Sequence, residues 1–140
     1  MAFTGNYSCN TLRTGLMNGT MNFSSNQFKL ALYTNAATLD ETTTGYTTTG
    51  EASGGNYVAT GQVIAATVST ATTSAGSVVY VTFASPAWTG SITARGALIY
   101  NNTTGAAVCV LDFGNDKTST STFTVTMPAD TSTSALIRLV

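Results

Sequence analysis

Residues 96 to 114, GALIYNNTTGAAVCVLDFG, are two apolar runs set on either side of a short Asn/Thr/Gly turn. With the period of two that a strand imposes, AAVCVLDF puts Ala107, Cys109, Leu111 and Phe113 on one face and Ala106, Val108 and Val110 on the other. Both faces are apolar as far as Asp112, whereas a surface hairpin needs only one. One face fills a core. The second requires separate cover, either from an irregular segment such as an N-terminal helix or from another subunit.

The same period recurs along the chain. FKLALYT (28–34) alternates Phe28, Leu30 and Leu32 with Lys29, Ala31 and Tyr33. Five further strand signals follow at 57–68, 77–84, 91–101, 106–113 and 121–127, and a last run at 134–140 makes seven. A short strand at Tyr46–Thr49 makes eight, the number in a jelly roll. Short strands between clusters of turn residues predict an all-β, antiparallel, jelly-roll-like β-sandwich occupying residues 1–140 as one domain. TVSTATTSAGS and KTSTST, rich in Thr, are expected at strand ends and turns.

Two segments break the pattern. Around residues 8–19, Leu12 and Leu16 lie four apart, Ser8 or Asn10 can cap the start and Gly19 can end the run, which predicts one short helix. Residues 35–56 have little apolar content and hold Asp40, Glu41 and Glu51, half of the six acids. An irregular stretch of this length is uncommon in a compact domain unless it has a task, so it is expected to be a contact arm that orders on binding.

Charged residues make up 8% of the chain and the net charge is −1, so the polar surface must be mostly Thr, Ser, Asn and Gly. So neutral a surface suits a protein used inside an assembly. Arg13, Lys29, Arg95, Lys117 and Arg138 are scattered singly and make no basic stripe, so nucleic acid is not an expected partner. The start MAFTGNYSCN lacks a basic-then-apolar leader, and no run of about 18 apolar residues occurs, so neither export by a standard signal nor membrane association is expected. The Asn-x-Ser/Thr triplets at Asn6, Asn18, Asn22 and Asn102 follow from composition. Cys9 and Cys109 can pair, although a buried thiol inside a strand fits Cys109 equally well.

Little equipment for chemistry is present. The absence of His removes the commonest general base and transition-metal ligand, and two separated cysteines make no zinc site. Catalysis would rest on Asp40, Glu41, Glu51, Asp112, Asp116 and Asp130, four of which fall in turn or loop contexts. DFGNDK is too short and wrongly spaced for a calcium loop and is expected to be a strand-to-turn transition. No enzyme activity, cofactor, metal or catalytic residue is therefore expected. Trp88 is either an exposed anchor for a sugar or partner or a plug closing the sandwich. Arg95 either points outward or pairs with Asp112 on the neighbouring strand.

The pieces LYTNAATLD, TGEASGGNY, ITARGALIYN and VCVLDFG lie in a longer likeness that covers nearly the whole chain. On these, the sequence resembles small structural proteins of tailed bacteriophages and prophages, and within them a jelly-roll capsid cement, or decoration, protein. The resemblance implies a virion protein on the outer capsid surface, present in the host cytoplasm during assembly, that stabilises the shell by clamping neighbouring major capsid proteins. The alternative is a phage tail or fibre module that binds host glycans through Trp88 and neighbouring Tyr or Asn side chains. The expected partners are the major capsid protein and the chain itself, as a homodimer or next a trimer, through strand edges or the second apolar face of 106–113. The candidate capsid or oligomer contacts are Phe3, Tyr7, Leu39, Tyr46, Glu51, Tyr57, Trp88, Val108 and Val110.

Overall fold

The computed structural model describes residues 3–139. In chain order the elements are β1 (Tyr7–Ser8), α1 (Asn10–Asn18), β2 (Phe28–Tyr33), β3 (Gln62–Ile64), β4 (Ala66–Thr73) and β5 (Gly76–Phe83), then β6 (Ala87–Thr89), β7 (Thr93–Asn101), β8 (Ala107–Thr118), β9 (Thr122–Thr124) and β10 (Ile137–Leu139). All strand pairings are antiparallel. They build a five-stranded sheet in the order β1-β8-β7-β2-β3, a three-stranded sheet β10-β5-β4 and a two-stranded sheet β6-β9. This is the all-β, sandwich-like fold with one short helix that the alternation predicts.

The core joins all three sheets. Phe28, Leu30, Leu32, Ala97 and Ile99 of the large sheet meet Val81 and Phe83 of β5 and Trp88 and Phe123 of the β6–β9 pair. Phe23, Phe28 and Phe83 form an aromatic group with ring centroids 5.0–6.1 Å apart. Trp88 is buried there, paired in register with Phe123 and packed on Tyr57 at 5.4 Å, so it is a plug and not an exposed anchor.

Strand boundaries differ from the sequence pattern where turns and side-chain chemistry intervene. The described residues contain ten strands, not seven or eight, because two-residue β1 and three-residue β6 are too short to show a period. The predicted strand 57–68 opens with a turn closed by Gly61 N–H donating to the Val58 carbonyl, and pairing starts at Gln62. TVSTATT is an entire strand, since β-branched Thr and Val suit an extended chain as well as a turn flank. β8 likewise runs through DFGNDK to Thr118, so that stretch is not where the strand ends. Tyr46–Thr49 forms no strand; isolated bridges on either side of it, Gly45 to Ala106 and Glu51 to Tyr33, tie that part of the arm to the sheet. The 121–127 and 134–140 signals shorten to Thr122–Thr124 and Ile137–Leu139, and Val140 lies outside the described residues.

The helix starts and stops close to expectation. Gly19 ends it in the left-handed conformation (φ 79°), which glycine adopts without steric cost. The N-cap is Cys9, not Ser8 or Asn10, and it makes no side-chain cap. Ser8 is occupied in β1 and accepts a hydrogen bond from Arg13 Nε, while Asn10 N–H donates to the Glu41 carbonyl of the arm. Leu12 enters the core, but Leu16, one turn on, remains exposed.

One irregularity resets the alternation of the opening hairpin. Ile99 pairs with Cys109 and Tyr100 with Ala107, so Val108 has no partner and forms a β-bulge. Val108 therefore packs with Cys109 in the main core, while Ala107 joins Val110 on the other face. The strict two-residue reading had placed Ala107 with Cys109 and Val108 with Val110. An unpaired residue advances the chain by one position and swaps the faces beyond it.

Candidate functional site

The second apolar face of the large sheet is covered within the chain. Ala31, Tyr33, Leu98, Tyr100, Ala107 and Val110 form it, and Phe3, Cys9, Ala37 and Leu39 close over it with Tyr7 and Tyr46 at the margin. The cover comes from the N-terminal stretch and from residues 35–56, not from a second subunit or from α1. That removes the 106–113 face as an oligomer surface for the chain as folded.

The arm is held down by one carboxylate. Glu51 accepts hydrogen bonds from Tyr46 Oη at 2.5 Å, Tyr57 Oη at 2.7 Å and Thr60 N at 2.8 Å. Tyr57 Oη in turn accepts from Leu32 N of β2, at 3.0 Å, so the carboxylate is linked to the central sheet through a phenol. Thr60 is held at φ 82°, a conformation that costs a β-branched residue, by Glu51 on its N–H, Lys29 Nζ on its hydroxyl and Tyr100 Oη on its carbonyl. Tyr33 Oη closes the arm further along by donating to the Thr47 carbonyl.

Burial raises the pKa of all four phenols, and it is the largest cause in each. Tyr46 is pushed up to about 12, with its hydrogen bond to Glu51 adding to the effect. Tyr33, Tyr57 and Tyr100 move in the same direction. The phenols stay protonated and act as donors through the ordinary pH range. The constellation is thus a clasp that binds one piece of chain to another, and no proton is poised to leave it.

Elsewhere, Asp40 caps the turn at 40–43 by accepting from Thr42 N and Oγ1, which holds its carboxyl below the usual range. Cys9 and Cys109 are both buried and unbonded, and burial pushes the Cys9 thiol up to about 11. Arg95 pairs with Asp112, as one of the two sequence readings had it, in a site where each side chain is about nine-tenths buried, and the guanidinium also sits over the Phe3 ring at 5.7 Å. A groove of about 430 Å³ opens between the end of β8 and β9, with Phe113, Lys117, Ser119 and Thr122 among its walls.

The nine residues singled out as contacts fall into two groups. Phe3, Tyr7, Leu39, Tyr46 and Val110 converge on the covered face, with Glu51 at its rim, whereas Trp88 and Val108 lie in the main core and Tyr57 packs against that core while its hydroxyl reaches Glu51. Phe3, Leu39, Trp88, Val108 and Val110 are buried, and Tyr7, Tyr46, Glu51 and Tyr57 are half-buried. Their side chains face inward because an aromatic or aliphatic group in an irregular segment gains more from the nearest open apolar face than from water. What the arm turns outward is its threonines, with Thr38, Thr42, Thr44, Thr48 and Thr49 exposed.

The surface that sequence reasoning missed is the far half of the β4–β5 hairpin. Val68 and Val79 are exposed there at 43% and 38%, beside Leu139 of the adjoining β10 at 58%. Its signal was present: two β-branched runs, ATVSTATT and SVVYVTF, flank the short Ser-Ala-Gly turn, but the threonines disguised the first as a loop.

Searches of family models, curated proteins and solved structures gave no match to this chain.

Proposed function

We propose that the protein is a structural virion protein of a tailed phage that sits on the outer capsid surface and stabilises the shell by clamping neighbouring major capsid proteins. The sequence likeness to capsid cement proteins suggests the setting. The observation that carries the physical side is the arm: an irregular segment from 35 to 56 already tied to the body by Glu51, Tyr33 and Leu39, with threonines facing outward.

A clamp works by binding energy alone, because contacts available only on the assembled shell shift the equilibrium toward it. Pre-ordering the arm spares the entropic cost that a loose loop would incur on docking. Repetition over a symmetric lattice then multiplies a small energy per site. Hydroxyl groups suit such a surface, since they hydrogen-bond to backbone and side chains of either polarity without charge repulsion between closely spaced copies.

Cryo-electron microscopy of purified particles tests the proposal. The expected result is density for this fold at equivalent positions outside the head, with residues 38–49 against the shell. Density confined to the tail overturns the capsid reading and supports the fibre alternative.

A further inference from the structure

Sheet edges are managed unevenly in this molecule. β1 has two residues, and β3, β6, β9 and β10 have three each, too few to template another strand. Among the described residues β8 runs unpaired beyond β1, but that stretch carries Asp112, Asp116 and Lys117, and opposite Arg95 its residues 113–116 bulge out of register. Charges, bulges and shortness are the ordinary protections of an edge. β4 has none of them. Its eight residues, ATVSTATT, pair without a register break to β5 on one side, hold no charge, Pro or Gly, and have no partner on the other side among the described residues.

The face beside that edge is apolar as well. Cross-strand register sets Val68, Val81 and Ile137 in one row and Thr70, Val79 and Leu139 in the next. The first row starts in the core at Val81 and emerges at exposed Val68, and the second is exposed at Val79 and Leu139.

We infer that β4 pairs antiparallel with β4 of a second copy of this chain, joining two three-stranded sheets into one of six strands across a two-fold axis. The inference does not depend on the virion setting. A second copy is the occupant that the charge pattern favours: the edge and both rows are uncharged, so two copies meet without repulsion and without stranding a charge. The pleat limits the register to pairings within one face. Full overlap of 66–73 would place each apolar row opposite the polar face, because a one-residue slip exchanges the faces. Centring on Ser69 instead sets Val68 opposite Thr70 of the partner copy. The row Ile137–Val81–Val68 then continues directly into Thr70–Val79–Leu139 of the second molecule.

Sedimentation of the free wild-type protein is expected to give twice the mass of the chain. Ser69→Cys should oxidise to a covalent dimer, since Ser69 faces its own copy across the axis. Thr70→Cys should not, because opposed Thr70 residues are diagonal neighbours about 7–8 Å apart, beyond disulfide reach. Wild-type protein, whose two cysteines are buried, is the oxidation control. Val68→Lys and, separately, Thr70→Lys should weaken association roughly a hundredfold by placing like charges near the axis. Circular dichroism checks that each exposed-site variant remains folded. A monomeric wild type, or a dimer indifferent to both lysines, overturns the inference, and so does cross-linking at Thr70 with none at Ser69.

Discussion

The hairpins β7–β8 and β4–β5 begin from similar sequence and end in opposite environments. Each is two β-branched or apolar runs about a short turn. In β7 every residue from Ala94 to Asn101 is buried, whereas in β4 none is. The difference lies outside the hairpins. Residues 3–9 and 35–51 fold back over the second face of β7–β8, and among the described residues no segment does so for the far half of β4–β5. Burial here is conferred by distant chain and not by the alternation of the strand itself.

The largest test of that contrast removes a side chain beneath the cover. Leu98 is fully buried among Phe3, Leu39 and Val110, and Leu98→Ala is expected to cost about 4 kcal/mol in urea unfolding through lost transfer energy and a cavity. Gly96→Ala should also be severe, because a Cβ there would run into the Phe3 ring and the Leu111 carbonyl. If both variants unfold at the wild-type midpoint, the cover is not packed as described.

Next in size is the ion pair on the same hairpin. Asp112→Ala leaves Arg95 as a buried charge held only by the Phe3 ring, and a loss of about 3 kcal/mol is expected. Replacing both partners, Arg95→Met with Asp112→Leu, should recover most of it, since an apolar pair leaves no charge stranded. A double variant as unstable as the single one would show that the pair supplies more than mutual neutralisation.

How much of this was legible in the sequence follows the same division. Local signals worked where the answer is local: the strand at 28–33, the helix ended by Gly19, and the side-chain pairing of Arg95 with Asp112. The bulge at Val108 was not legible, because it depends on matching two strands and not on either alone. Nor was the inward turn of Phe3, Leu39 and Tyr46, since their target face is assembled from β2, β7 and β8, far away in sequence. Glu51 was marked as a contact residue for its place in a polar arm. Its three donors come from residues 46, 57 and 60, a convergence that only the folded loop creates.

The clasp gives a smaller effect than the core. Glu51→Gln keeps the shape but exchanges a charged acceptor for a neutral one, and about 1–2 kcal/mol is expected, with faster hydrogen exchange at Leu32 N–H and through residues 35–50. Alkaline pH should reach the same clasp. Unfolded tyrosine ionises near pH 10, and Tyr46 in the fold only near 12. Its stabilising contribution is therefore complete below pH 10 and is lost as pH rises through 12, where the ionised phenol would also face the Glu51 carboxylate. Melting followed from pH 8 to 12 should show this fall, and Tyr46→Phe should flatten it. An unchanged slope in that variant would assign the alkaline loss to other tyrosines.

The smallest expected effect lies on the uncovered hairpin and completes the comparison. Val79→Thr conserves shape and β-propensity while exchanging a methyl for a hydroxyl at a position already in contact with water. In dilute monomer it should move stability by no more than about 0.5 kcal/mol, as substitutions at open surface sites do. The same exchange at Val110, fully buried on β8, puts a hydroxyl into an apolar face and should cost at least about 1–3 kcal/mol if it finds no partner. Chemistry and strand type are the same in the two variants, so the gap between them measures the cover contributed by residues 3–9 and 35–51. Adding Glu51→Gln to each variant extends the test. Loosening the arm should shrink the penalty at Val110, because the site is then less dry, and leave Val79→Thr where it was. Equal penalties at the two positions would mean that the cover opens readily in solution, and the contrast between the hairpins would be one of average structure without energetic weight.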